Sequence, residues 1–150
     1  MTRRGSVAAA RDGMEGRPVL GSNFLVDLGD GKAHQSSGGF AEVIFPEFRL
    51  GPGQEGHPTP AGAGGTLILR RGICGALDLY AWWDKARVGK TARGKSIKVM
   101  LLGQDQRTVV LTWTFHKVHP VALSYSPLRA RENDVAMETI ELAFASFEMC

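Results

Sequence analysis

The chain has 150 residues, 43% of them hydrophobic and 22% charged, the balance of an ordinary globular protein and not of a disordered one. No apolar run approaches the roughly 20 residues of a membrane-spanning helix, so no span is expected. The net charge of +3 is scattered, with Lys and Arg interleaved among Asp and Glu and no basic stripe carrying aromatics, which argues against specific nucleic-acid binding.

Residues 1–19 are rich in Gly, Ala and Arg without sustained periodicity and are expected to form a flexible N-terminal arm. Arg3 and Arg4 are followed by only a short apolar run, Val7–Ala10, before Arg11-Asp12-Gly13, so no secretory signal is expected. Residues 20–150 read as one domain, long enough for a single core.

Asn23–Leu28 alternates as a strand, and Gly29-Asp30-Gly31 supplies a turn. Phe40–Phe48 resumes with β-branched and aromatic residues, and Pro46 within it points to an edge position or a bulge. In Gly51–Gly65, nine of fifteen residues are Gly or Pro, too many for a regular ladder, and a loop of that length is either mobile or functional. The apolar run from Thr66 ends at Arg70-Arg71-Gly72 and leads into a predicted helix over Ala76–Val88. Leu79, Trp83 and Ala86 form its expected apolar stripe, with Asp78 in the first turn, Lys85, Arg87 and Lys90 at the far end, and Gly89 as the stop. A helix this short is marginal alone and is expected to cover a sheet.

Ser96–Leu102 alternates as a strand, and Gln104-Asp105-Gln106 reads as a turn. Arg107–Val118 is the clearest strand, with Val109, Leu111, Trp113 and Phe115 on a dry face and Thr108, Thr112, Thr114 and His116 on a wet one. His119-Pro120 is expected to break it. Met137–Glu148 reads as one long final strand, with an amphipathic helix as the competitor because Glu, Met, Leu and Ala favour helix. The fold class expected is mainly β within α+β: a small antiparallel barrel or sandwich with one flanking helix.

No catalytic constellation emerges. His116 and His119 are three apart and point to opposite faces of a strand, so they cannot share a metal there without a bend; adding His34 and His57 gives a conceivable three-histidine cluster in space, and surface or loop histidines are the expected reading. Glu138 and Glu141 diverge for the same reason, which counts against a paired-carboxylate hydrolase. There is no GxSxG, and Gly62-Ala63-Gly64-Gly65 lacks the lysine and the following helix of a phosphate loop. Cys74 and Cys150 fit no metal pattern and read as reduced thiols. Arg70-Arg71 beside Trp82 and Trp83 suggests interface residues before a ligand cage. No enzyme activity, cofactor or metal is expected.

Several segments occur in an order that resembles the tube proteins of contractile injection systems and contractile-tail phages, relatives of the haemolysin-coregulated protein of type VI secretion. They are NFLVDL at Asn23–Leu28, FAEV at Phe40–Val43, LILRRGI at Leu67–Ile73, LDLYAWWDKARVGK at Leu77–Lys90 and, most specific, Trp113–Glu148. The resemblance implies a structural subunit: hexameric rings stacked into a hollow inner tube, driven through a target envelope by sheath contraction. It further implies sheath, baseplate or spike and tube-terminator partners, possible effector cargo in the lumen, and assembly in the bacterial cytoplasm into a phage-tail-like particle that can be released. The residues expected at ring and stacking contacts are Arg70, Arg71, Gly51, Gly53, Glu55, His57, Glu138 and Glu141, with Thr108, Thr112 and Thr114 facing the lumen. A baseplate-proximal initiator ring is the alternative within the class, and a monomeric β-barrel binding a small ligand the alternative outside it. The family's extended-loop sequence is replaced by Gly51–Gly65, and Phe144 stands where many relatives carry His.

Overall fold

The structure is a computed structural model that describes residues 19–31, 39–49, 64–89 and 94–150. Its strands are β1 (Phe24–Asp27), β2 (Glu42–Ile44), β3 (Gly65–Gly72), β4 (Lys95–Leu102), β5 (Val109–Tyr125), β6 (Met137–Phe144) and β7 (Ser146–Met149), with helix α1 (Asp78–Arg87) between β3 and β4. Every pairing is antiparallel, in the order β1-β4-β5-β6-β3-β2, with β7 also on β5. Among the described residues the sheet folds over on itself without closing; β1 and β2 end the path, and β7 is bonded to β5 alone.

The fold turns on β5. His119-Pro120 does not end this strand, as the sequence suggested; it runs for 17 residues. Its first half pairs with β4 and β7, its second with β6, so one strand serves both halves of the sheet. The change of direction is made by irregularities. Between the pairs Lys95–Val118 and Ile97–Phe115, β4 advances two residues and β5 three, which inserts one extra residue into β5, and Lys117 lies there at φ 54°. A second extra residue on β5, Val121, follows Pro120 where it faces β6. A bulge tolerates the missing N–H of proline, which is why Pro120 sits inside a strand. Gly94 packs on this corner: a Cβ there would lie 2.5 Å from the Lys117 carbonyl carbon.

The chain's final stretch bends with it. The single strand expected over Met137–Glu148 is two, β6 and β7, parted at Ala145, whose N–H donates to the His116 carbonyl (3.0 Å). Side chains alternate across β6, with Glu138, Ile140, Leu142 and Phe144 inward. Leu67, Leu69 and Arg71 do the same on β3. Together with Val26, Ile97, Val99, Phe115 and Val118 they close one core between the two halves of the sheet. An aromatic group fills its corner: Phe115 and Phe144 have centroids 4.8 Å apart, and Phe48 stacks on Phe147 at 4.0 Å. Phe144, the departure from the family pattern, is therefore at home in a site with no wet face.

Helix α1 packs on β5 through Leu79 and Trp82, not through the expected Trp83. Trp83 lies partly exposed with the Arg87 guanidinium 5.7 Å from its centroid, while the Lys95 ammonium sits 4.0 Å over Trp82. Gly89, at φ 73°, takes the left-handed turn that ends the helix, as expected.

Candidate assembly surfaces

The paired arginines that end β3 point opposite ways, because successive residues of a strand do. Arg71 is on the core side and 1% exposed; Arg70 is on the outer side. In the β3–β6 ladder Arg71 stands directly opposite Glu138, which is 5% exposed, and its Nε donates to the Glu138 carboxylate. Its two terminal nitrogens donate to Asp78, one of them at 3.2 Å, in the first turn of α1. The Phe40 ring lies 5.4 Å from the same guanidinium. One cation thus joins β3, β6 and the helix start.

Burial alone would lower the Arg71 pKa, but the hydrogen bonds and charges of Asp78 and Glu138 more than offset it and hold it above the ordinary arginine value. Asp78 feels the converse: burial pushes its pKa up, the bond and charge of Arg71 pull it further down, and it lies below the usual carboxylate value. Two expected interface residues, Arg71 and Glu138, are therefore turned inward and satisfied within one chain. The alternation on β3 and β6 puts these charged residues on the same face as Leu67, Leu69, Ile140 and Leu142, and a charged residue on an apolar face reads as exposed until its partner is seen.

Arg70 and Glu141 do face outward. Arg70 pairs with Glu42 across β2 at 3.6 Å, both partly exposed, and Glu141 is opposite Ile68 and Ala122 in the ladders. Gly51, Gly53, Glu55 and His57 lie outside the described residues, as do His34 and Lys90.

Thr112 and Thr114 alternate with Leu111, Trp113 and Phe115 and sit on the outer face of the β1-β4-β5-β7 half, partly exposed. Thr114 lies in one cross-strand row with Asp27, Lys98 and Glu148. Thr108 is instead in the β4–β5 turn, where its hydroxyl and N–H both donate to Asp105. These bonds and that from the Arg107 N–H hold the Asp105 pKa down at about 2. The turn is polar because it caps itself.

His116 shares the outer face, its Nε2 2.9 Å from Glu148 and its Nδ1 3.4 Å from Ser96. His119 is exposed elsewhere on β5. Among the described residues no His, Cys, Asp and Glu converge as a metal site, and both cysteines are free and exposed.

Two further features were not read from the sequence. The first is the identity of the free margins: among the described strands β1 is bonded only to β4, β2 only to β3 and β7 only to β5. The second is an apolar trough at the seam between β1 and β2, floored by Val99, Leu101 and Trp113 and walled by Phe24, Val43 and Phe45. Only the pairing order reveals that these residues meet.

The family model for the T4-like virus tail tube protein gp19 matches residues 23–148. No curated protein matches by sequence. Among solved structures, a chain of the PVC sheath/tube terminator of an extracellular contractile injection system, in its extended state, superposes with a TM-score of 0.73 at 21% identity, covering 91% of this chain and 99% of that one. A chain of the PVC sheath-tube complex gives 0.69 at 19% identity, covering 93% and 96%. Hcp1 from Flavobacterium johnsoniae gives 0.53 at 12% identity, covering 84% and 93%. At these identities the likeness is one of fold. The family match over nearly all of the β-structure, with the same fold in tube proteins of injection systems, places this chain in the T4-like virus tail tube protein gp19 family.

Proposed function

We propose that this chain is an inner-tube subunit of a contractile injection particle, forming hexameric rings that stack into a hollow tube. The observation that carries the reading is the unclosed sheet in a tail tube family member. Margins bonded on one side only among the described strands are a liability in a lone protein and a joint in a repeating one. Margin strands of neighbouring copies pair and extend one sheet around the ring. Arg70 and Glu141, partly exposed on the outer face, meet a neighbouring copy there, and the Gly51–Gly65 segment reaches the adjacent ring. The outer face that carries Thr112 and Thr114 lines the lumen, where cargo passes.

On this reading the protein is structural and has no catalytic role. Its partners are the sheath, the baseplate or spike and the tube terminator, and it is assembled in the bacterial cytoplasm before the particle is released. Negative-stain microscopy of the purified chain and of its native particle tests the proposal. Rings or tubes, with a label on this chain all along the inner tube, are the expected result. A chain that stays monomeric across concentration and salt, and is absent from any tube, refutes it. Label confined to one end assigns the baseplate-proximal initiator instead.

A further inference from the structure

The half of the sheet made of β1, β4, β5 and β7 ends in two strands of equal length, Phe24–Asp27 and Ser146–Met149. The bonds each makes inward fix what it presents on its free side. The Asn23 carbonyl accepts from the Leu102 N–H at 2.7 Å, so by the alternation of an antiparallel ladder Leu25 and Asp27 also face β4, while Phe24 and Val26 turn their N–H and C=O away from it. Thr112 and Cys150 exchange both bonds, at 2.9 and 3.0 Å, so Ser146 and Glu148 face β5 while Phe147 and Met149 turn theirs away. The side chains of Phe24, Val26, Phe147 and Met149 are all on the dry face, where Met149 is 49% exposed and Phe24 walls the apolar trough. The margins of the other half are blunted. There β2 is three residues long with Pro46 close behind, and β5 beyond Val118 carries Pro120, which has no N–H, and the bulge at Val121.

We propose that β1 of one copy pairs with β7 of the next, antiparallel, with Phe24 opposite Met149 and Val26 opposite Phe147. Strand direction alternates along β1, β4, β5 and β7, so β7 of a second copy laid beside β1 continues the alternation. This register aligns the two strands end to end, satisfies the free backbone groups of all four residues, and brings Met149 onto the Phe24 ring at the trough wall. A slip of two residues one way sets Asp27 against Glu148, a like-charge pair, and a slip the other way sets Val26 against Ala145, outside β7. A slip of one puts dry residues on the wet face. Because the two edges differ, the contact is head-to-tail and repeats until a ring closes. The inference rests on the tube reading and names the edges and register by which its copies join.

In this register Leu25 and Glu148 oppose each other on the outer face as a non-hydrogen-bonded pair, with Cα atoms about 4.5 Å apart and within reach of a disulfide. In a chain also carrying Cys74→Ser and Cys150→Ser, the pair Leu25→Cys with Glu148→Cys should, on oxidation of assembled rings, link copy to copy up to the full ring on a non-reducing gel. Within one chain β1 and β7 are three strand spacings apart, about 14 Å, so the bond does not form inside a subunit. Asp27→Cys with Glu148→Cys, two residues out of register, should stay largely unlinked. Met149→Pro removes an N–H that only the joint uses, so circular dichroism and melting should match wild type while ring formation weakens about tenfold or more. Rings in which positions 25 and 148 do not link, linkage through the out-of-register pair instead, or unchanged ring formation by Met149→Pro overturns the inference and leaves the tube reading standing. A wild-type chain that forms no ring overturns both.

Discussion

Replacing Glu138 by alanine separates a residue that holds the monomer together from one that holds monomers to each other. The substitution removes the carboxylate facing Arg71 Nε and leaves a guanidinium that is 1% exposed with Asp78 and the Phe40 ring as company. Breaking a buried pair in this way costs about 3–5 kcal/mol, chiefly because the remaining charge stays out of water without its partner. In a domain of 150 residues that is a fall in Tm of about 6–20 °C. Urea titration of unassembled protein should show the midpoint falling with little change in slope. The double variant Arg71→Met with Glu138→Leu should recover most of the loss, since apolar residues of similar volume suit the same space and Asp78 can turn to solvent. A loss of less than about 1 kcal/mol, or a defect seen only in ring formation, would refute the argument and return Glu138 to the assembly surface.

Gly94→Ala should destabilise the chain by about 1–3 kcal/mol, because the new methyl group meets backbone at the β5 corner, whereas Gly21→Ala, with open space around it, should be neutral in the same thermal melt. Trp82→Ala should cost about 3–5 kcal/mol and Trp83→Ala far less, a contrast that chemical denaturation will show directly. Asp78 has a depressed folded pKa, so its contribution is present above the unfolded value of 3.8 and is lost as pH falls through the lower folded value. Asp78→Asn should accordingly flatten the acid limb of the stability profile below about pH 4 and lower the neutral plateau without changing its slope. Deleting residues 57–63, whose Gly and Pro content suits no core, should leave the melting profile of the monomer nearly intact and shorten or abolish tubes seen by microscopy.

What could be read from the sequence was what depends on near neighbours. Alternation located the strands, Gly89 stopped the helix, and Pro46 followed a short margin strand. The errors lie where a distant partner decides. Pro120 looked terminal because its missing N–H is a local fact, while the bulge that accommodates it is set by β6. Met137–Glu148 looked like one strand because the bend at Ala145 is imposed by the bend in β5 beside it. Trp82 and Trp83 both suit an apolar stripe at helical spacing, and only the helix's angle on the sheet chooses between them. Arg71 and Glu138 could be seen to be charged but not to be opposite each other, 67 residues apart in the chain. The trough was invisible for the same reason, since its walls come from β1 and β2 and its floor from β4 and β5.

The shared strand also has a mechanical meaning. Because β5 runs unbroken through both halves of the sheet, a push or pull delivered to one half reaches the other along covalent backbone. Load directed along β5 acts at right angles to the hydrogen bonds that hold β4, β6 and β7 to it, so many bonds must yield together and not one after another. That path is interrupted at two bulges, at Lys117 and at Val121, and at the first Gly94 lies close against the backbone. A subunit built this way is stiff in one direction and weaker across it, so its resistance to force should depend on the points between which it is stretched.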